Sequence, residues 1–228
     1  MSVPGTVGSG SNSCVAVLAS GGLDSAVLVA EYLRKGRVVQ PIYVRFGLVW
    51  EEVEEAQLRR FLDTLPGCGT QPVVTLEFPI ADVYGSHWSV SGDDVPDART
   101  TDDAVYLPGR NLLLLAKSSI WCALHDVHSL ALGTLKGNPF ADSSRDFFSL
   151  VESAVHSALS CPLEVVTPFA GLTKTEVLER GRGLQLQHTF SCIDPKAGGH
   201  CGHCNKCAER QRAFAALRIE DVTHYAAL

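Results

Sequence analysis

Two short stretches of this chain carry residue types at spacings that can do chemistry. The first is Ser20-Gly21-Gly22-Leu23-Asp24-Ser25. It lies between a short apolar, β-branched run, Cys14 to Ala19, and a segment, Leu23 to Lys35, that is apolar at helical spacing. A helix starting at such a turn leaves its first backbone N–H groups without intrahelical partners, and its dipole favours an anion there. Gly21 and Gly22 admit phosphate oxygens with no Cβ in the way, and Ser20 and Ser25 add hydroxyl donors. Asp24 would repel a phosphate by itself, so it reads as a ligand to a Mg²⁺ that bridges phosphates. The plain alternative is an ordinary helix cap, and the complete string directly after a strand argues against it.

The second stretch is Cys192-x8-Cys201-x2-Cys204-x2-Cys207, four thiolates at steps that turn sulfurs toward one centre. Four soft ligands at this spacing suit a closed tetrahedral Zn²⁺ with no open position, hence a structural metal. His200 and His203 are alternative ligands, an iron–sulfur cluster uses the same donor set, and one C-x-x-C pair suffices for redox work. The other four cysteines, Cys14, Cys68, Cys122 and Cys161, are isolated and read as packing or surface residues.

The elements that must position these residues alternate. Strands are expected at Cys14–Ala19, Val38–Phe46, Val73–Phe78, Ser129–Gly133 and Glu164–Phe169. Helices are expected at Leu23–Lys35, Trp50–Thr64, Asn111–His125, Ser144–Leu159 and Lys174–Arg180, with one more near Ala208–Leu217. This rhythm argues for an α/β fold with a parallel sheet covered on both faces. Ala81 to Tyr106 breaks it with a polar, acidic stretch that reads as a long loop, either a lid or a disordered segment. Residues 1–13, rich in Gly and Ser, read as a disordered tail, residues 14–187 as the α/β domain, and 188–228 as a metal-binding segment packed on it.

A formal net charge of -6 offers no overall positive field for a nucleic-acid backbone, so direct nucleic-acid binding is not expected. No stretch approaches the ~18 apolar residues of a membrane span, and no basic start precedes an apolar run, so the expectation is a cytoplasmic protein without membrane association.

The Ser-Gly-Gly-x-Asp-Ser string resembles the phosphate loop of the N-type ATP pyrophosphatases. Together with Leu107-Pro-Gly-Arg110-Asn111 and the terminal cysteine pattern, it is similar to the 7-cyano-7-deazaguanine synthase (QueC) family from about Cys14 to Phe214. That resemblance implies an adenine nucleotide alpha hydrolase-like, Rossmann-like fold and cleavage of ATP between its α- and β-phosphates. It implies that Ser20 to Ser25 bind phosphates and Mg²⁺, that Arg110 and Asn111 face the nucleotide from a helix start, and that the end of the second strand, Tyr43 to Phe46, lines the base pocket. It further implies a deazapurine carboxylate and ammonia as substrates, and a homodimer. The alternatives are a relative adenylating a different carboxylate, nucleobase or tRNA acceptor, or a nucleotide-binding module without catalysis. The chain departs from the family pattern at Arg45-Phe-Gly-Leu-Val-Trp50 and at Phe140-Ala-Asp-Ser-Ser-Arg145.

Four further residues are candidates on chemical grounds. Arg110 can neutralise charge developing as pyrophosphate leaves, against a plain reading as a surface arginine. Lys174 opens a helix after a strand and can reach the same group, or else is solvated near Glu176. Lys136 follows the strand ending at Gly133, on the edge where α/β ligands bind. Asp142 offers the acceptor that a guanine-like edge requires, or else caps the helix after Ser144.

Overall fold

The computed structural model describes residues 14–226; the tail expected at 1–13 lies outside the described residues. Five strands, β1 (Cys14–Leu18), β2 (Val38–Arg45), β3 (Val74–Glu77), β4 (Ser129–Ala131) and β5 (Glu164–Val166), form one sheet. Their order is β3-β2-β1-β4-β5, and every pairing is parallel. The helices are α1 (Leu23–Arg34), α2 (Glu51–Asp63), α3 (Ala81–Tyr84), α4 (Trp88–Ser91), α5 (Arg110–Leu124), α6 (Arg145–Leu159), α7 (Lys174–Arg180) and α8 (Asn205–Ala216).

β1 shows why the sheet sits in the middle. Alternate side chains of a strand point to opposite faces. Val15 and Val17 pack with Val27 of α1, Phe61 of α2 and Val177 of α7. Ala16 and Leu18 pack with Leu115 of α5 and Phe148 of α6. Each large apolar side chain so buried contributes roughly 1.5–3 kcal/mol, and α1 alone buries Leu23, Val27, Leu28 and Val29. The strand order reverses between β1 and β4, and α/β ligands bind at the crevice that such a reversal opens beyond the carboxyl ends of the strands.

The terminal segment shares this core: Phe190, Cys192, Cys201, Cys204 and Cys207 lie in the same apolar cluster as Leu115 and Phe148. Arg210 on α8 is buried, and among the described residues no carboxylate lies within ion-pair distance of it, Asp221 acting from farther off. Its guanidinium donates instead to Thr223 Oγ1 (2.9 Å), Thr189 Oγ1 (2.8 Å) and the Leu186 carbonyl (2.8 Å). Hydrogen bonds thus satisfy a charge that would otherwise be costly to bury, and they tie three stretches of the terminal segment together.

One expectation fails. Ala81 to Tyr106 is not a structureless loop: it contains α3, α4 and a 3₁₀ turn at Asp102–Val105. It is docked on the cysteine segment, with Asn205 N donating to Pro96 O (2.9 Å), Ala98 N to His203 O (2.9 Å) and Asn205 Nδ2 to Thr100 O (2.9 Å). The partners that order it lie about a hundred residues away, so no local pattern announced them. Among the described residues, no helix is long and apolar enough to cross a membrane.

Candidate functional site

The turn after β1 is built around Gly21. Its φ is +80°, and a Cβ there would lie 3.0 Å from the Glu54 carbonyl oxygen and 3.1 Å from Leu58 Cβ. This glycine therefore lets α2 approach the turn, a different reason from the phosphate approach expected of it. Its carbonyl accepts from Phe190 N at 2.7 Å, fastening the terminal segment to the loop. Gly22 is the N-cap of α1 and supplies no side-chain cap, so the first turn of the helix opens on a cleft. Ser25 Oγ donates to Gly22 O (3.1 Å), and Gly22 N donates to Ser20 Oγ (3.3 Å), holding the turn in shape. On the far side Gly133, just after β4, lies so close that a Cβ would come within 3.3 Å of Asp24.

The cleft has two lobes that share Ser20, Gly22, Asp24 and Arg110. The first runs along the strand ends and is lined by Ile42, Tyr43, Val44, Asn111, Gly133, Thr134 and Asn138. The second is lined by Trp50, Trp88, Val105 and Leu107 and by the ionisable Glu54, Lys174, Lys206 and Glu209. The Trp50 and Trp88 rings are stacked, with centroids 5.7 Å apart.

Charge is arranged across the shared wall. Lys174 Nζ donates to Asp24 Oδ2 at 2.8 Å and lies 3.4 Å from Glu209 Oε1. Burial alone would lower the Lys174 pKa, but the two carboxylates outweigh it and hold the ammonium above its ordinary value. A capping box in which Thr173 and Glu176 satisfy each other fixes the start of α7 and leaves Lys174 free to face the cleft. Asp24 Oδ1 is buried and has no hydrogen-bond partner, as is Arg110 Nε. Deeper in the wall, the Tyr43 hydroxyl donates to Glu54 Oε2 at 2.8 Å. Burial pushes the Glu54 carboxyl up to about 7, against the pull of Arg110 and Tyr43. An open helix start, a carboxylate with one spare buried oxygen and two cations can together hold a phosphate chain and a divalent ion.

The structure brings Ser20, Gly22, Leu23, Asp24, Ser25, Arg110, Asn111 and Lys174 to this cleft. It does not bring Gly21, Phe46, Lys136 or Asp142. Phe46 is buried in the core, its ring 6.2 Å from that of Phe78, so the strand end lines the cleft only through Ile42, Tyr43 and Val44. Lys136 is exposed, its charge felt by Glu176. The Asp142 carboxylate accepts from Asn111 N at 3.1 Å, so it caps α5 from across the fold, while Ser144 caps α6. Residues missed from sequence are Glu54, Trp88, Lys206 and Glu209, whereas Trp50 ends a segment already set apart by its departure from the family pattern. Glu51, Glu54 and Glu55 of α2 are all buried, and of these Glu54 alone lines the cleft; nothing local in the acidic run distinguishes it.

The departing segments now have a physical account. Arg45 pairs with Glu55, Leu48 is core, and only Trp50 reaches the cleft. In the second segment Phe140 stacks on Tyr106, and Arg145 donates to the Val165 carbonyl at 2.7 Å.

The four cysteines of the second motif are buried, and their sulfurs lie within 4.8 Å of one another. Cys201 N and Cys204 N donate to sulfurs of the set, each at 3.3 Å. Such N–H···S contacts orient ligands and favour the thiolate form. The donor chemistry and closeness fit a divalent metal, whose charge would offset thiolates that otherwise repel. His200 is not part of the set. Its Nε2 accepts from Ser191 N (3.1 Å), and burial pulls its pKa down to about 4. His203 Nδ1 lies 3.1 Å from the Cys201 carbonyl oxygen.

Comparison with known proteins extends this picture along the chain. Residues 14–218 match the family model described as queuosine biosynthesis protein QueC. The 7-cyano-7-deazaguanine synthase of Syntrophotalea carbinolica is 30% identical over 225 residues, covering 92% of this chain and 95% of that protein. That of Syntrophobacter fumaroxidans is 31% identical over 230 residues, covering 92% and 94%. With the Ser20–Ser25 turn, Arg110 and the four-cysteine set in one parallel α/β fold, and with similarity spanning nearly the whole of both chains, the protein belongs to the QueC family.

Proposed function

We propose that this chain is an ATP-dependent C–N ligase that converts 7-carboxy-7-deazaguanine and ammonia to 7-cyano-7-deazaguanine. The substrate carboxylate is adenylated and ammonia displaces AMP to give the amide. A second adenylation, followed by loss of AMP, gives the nitrile. The observation that carries the reading is the meeting of an uncapped helix start, the spare Asp24 oxygen, Arg110 and Lys174 in one cleft, in a relative of named synthases.

ATP supplies an activating adenylyl group and pyrophosphate as leaving group. The protein's part is placement and charge. The N–H groups of the first turn of α1 and the Ser20 and Ser25 hydroxyls receive phosphate oxygens. Asp24 would hold Mg²⁺ through its carboxylate, and Arg110 and Lys174 balance the charge that grows as pyrophosphate departs. The first lobe, apolar along β2, suits the nucleoside, and the second, walled by Trp50 and Trp88, suits a flat base. Cys192, Cys201, Cys204 and Cys207 would hold a structural Zn²⁺. The same reading proposes a cytoplasmic homodimer, and the exposed Leu112, Ile120 and Leu124 on α5 and Leu150 on α6 are apolar side chains a second copy would cover.

Mass spectrometry of a reaction with 7-carboxy-7-deazaguanine, ATP, Mg²⁺ and ammonium tests the proposal. The expected products are the nitrile, pyrophosphate and one AMP for each adenylation. Primary formation of ADP and orthophosphate, or AMP release with no amide or nitrile, refutes it.

A further inference from the structure

The second lobe holds two charged side chains of α8 that the reaction as described does not use. Glu209 carries one ammonium group on each carboxylate oxygen: Lys174 Nζ lies 3.4 Å from Oε1, and Lys206 Nζ lies 2.7 Å from Oε2. With the 2.8 Å bond from Lys174 to Asp24, the order Asp24, Lys174, Glu209, Lys206 forms an alternating chain of charges that ends in the cleft. A lone Lys206–Glu209 pair one turn apart on a helix would be ordinary and of little weight. This one differs because Glu209 also binds a lysine from α7, and because all four side chains line the same lobe. Lys206 is also held at its base: it lies between Cys204, the N-cap of α8, and Cys207, both buried in the sulfur cluster.

We propose that Lys206 is a pyrophosphate-binding residue and that Glu209 is the positioning residue that aims both Lys206 and Lys174 at the leaving group. The inference rests on the reading that the cleft takes ATP. Without ligand the chain is neutral, two carboxylates against two ammonium groups. Asp24 is also the carboxylate that would hold a divalent cation, which would leave Glu209 as the partner of Lys174. Lys174 then keeps Glu209 as its anchor and turns its remaining hydrogen-bond donors to phosphate oxygens. Glu209 with two lysines carries a net charge of one positive unit, delivered beside the start of α1. Departing pyrophosphate gains negative charge, so the cluster favours the state in which that charge is largest. The nucleoside touches none of these groups, because the first lobe is lined by neither Lys206 nor Glu209.

The test is calorimetric titration of the full-length, metal-loaded chain with Mg²⁺-pyrophosphate and, separately, with AMP. For Lys206→Met and Glu209→Gln the expected result is about tenfold weaker pyrophosphate binding, the scale of one charge-assisted hydrogen bond, with AMP affinity unchanged. Lys206→Arg should recover most of the loss. Metal content and melting temperature accompany each variant. The Lys206 side chain is 32% exposed, so Lys206→Met carries the test even if Glu209→Gln does not fold. Unchanged pyrophosphate affinity in the folded variants overturns the proposal, as does a parallel loss of AMP and pyrophosphate binding, which marks a structural role. A wild-type chain that binds neither ligand overturns the ATP reading and the proposal with it, whereas a wild type that binds both while the variants match it overturns the proposal alone.

Discussion

Helices α1 and α8 begin in nearly the same way. Gly22 has φ -70° and ψ 166°, Cys204 has φ -73° and ψ 164°, and neither supplies a side-chain cap. What surrounds the two starts is opposite. At α8, Asn205 N donates to the Pro96 carbonyl, Cys204 N donates to Cys201 Sγ, and the sulfurs are buried. At α1, Gly22 N donates to Ser20 Oγ, but beyond that bond the helix start faces the cleft rather than another stretch of chain. One helix start is closed by its own chain; the other is left open on the cleft. Four orphan N–H groups are common to every helix start, so function depends on what the tertiary structure does with them.

The largest expected effect lies at the closed start. Removing the metal, or Cys204→Ser, should cost on the order of 10 kcal/mol, comparable with a whole domain's stability. Thermal melts with and without chelator under reducing conditions measure it, and an unchanged melting temperature would show that the sulfurs hold no structural metal. The open start should respond in the reverse sense. Asp24→Asn should lower turnover by about 10²–10³-fold, the scale of losing one charge-stabilising group, while the melting temperature stays near wild type. A large drop in stability with activity retained would erase the contrast between the two starts.

Beneath the open start, Glu54 should make stability depend on pH. Its pKa is raised from 4.5 to about 7, so the folded chain binds the proton more tightly than the unfolded one. Stability is then fullest below pH 4.5 and falls as pH rises through the window up to about 7, by up to ~3 kcal/mol at 1.36 kcal/mol per pKa unit. Denaturant titrations of wild type and Glu54→Gln across that window should differ in slope, and parallel curves would place the carboxylate in an ordinary environment. The smallest effect concerns a third helix start, that of α5, which Asp142 caps from across the fold. Asp142→Ala should cost about 1 kcal/mol without altering acceptor affinity. Weaker deazaguanine binding at unchanged stability would instead return Asp142 to the base-reading role.

Local chemistry made much of this readable in advance. β-branched runs of about five residues, each followed by an amphipathic period, give the alternation of β1 through α2, and C-x-x-C steps bring sulfurs together in any fold. Lys174 and Arg110 were legible because each opens a helix directly after a turn, on the side where ligands collect. Asp142 was misplaced for a complementary reason: both roles expected of it, base reader and cap of α6, look only to its neighbourhood, whereas its carboxylate meets Asn111 thirty-one residues earlier. Likewise α3 and α4 are four residues each, too short to show a helical period, and the residues that hold this stretch in place belong to the cysteine segment.

By itself, then, the sequence determined the parallel α/β class, the glycine turn after β1 and the four-cysteine cluster, because each depends on residues within a few positions of one another. Only the tertiary structure decided which carboxylates and lysines share the cleft. Glu54, Lys174 and Glu209 come from three helices, and they meet because the reversal of strand order at β1 and β4 opens the sheet there and the terminal segment folds back over the opening. Contacts across so many residues depend on the path of the whole chain, which no short stretch contains.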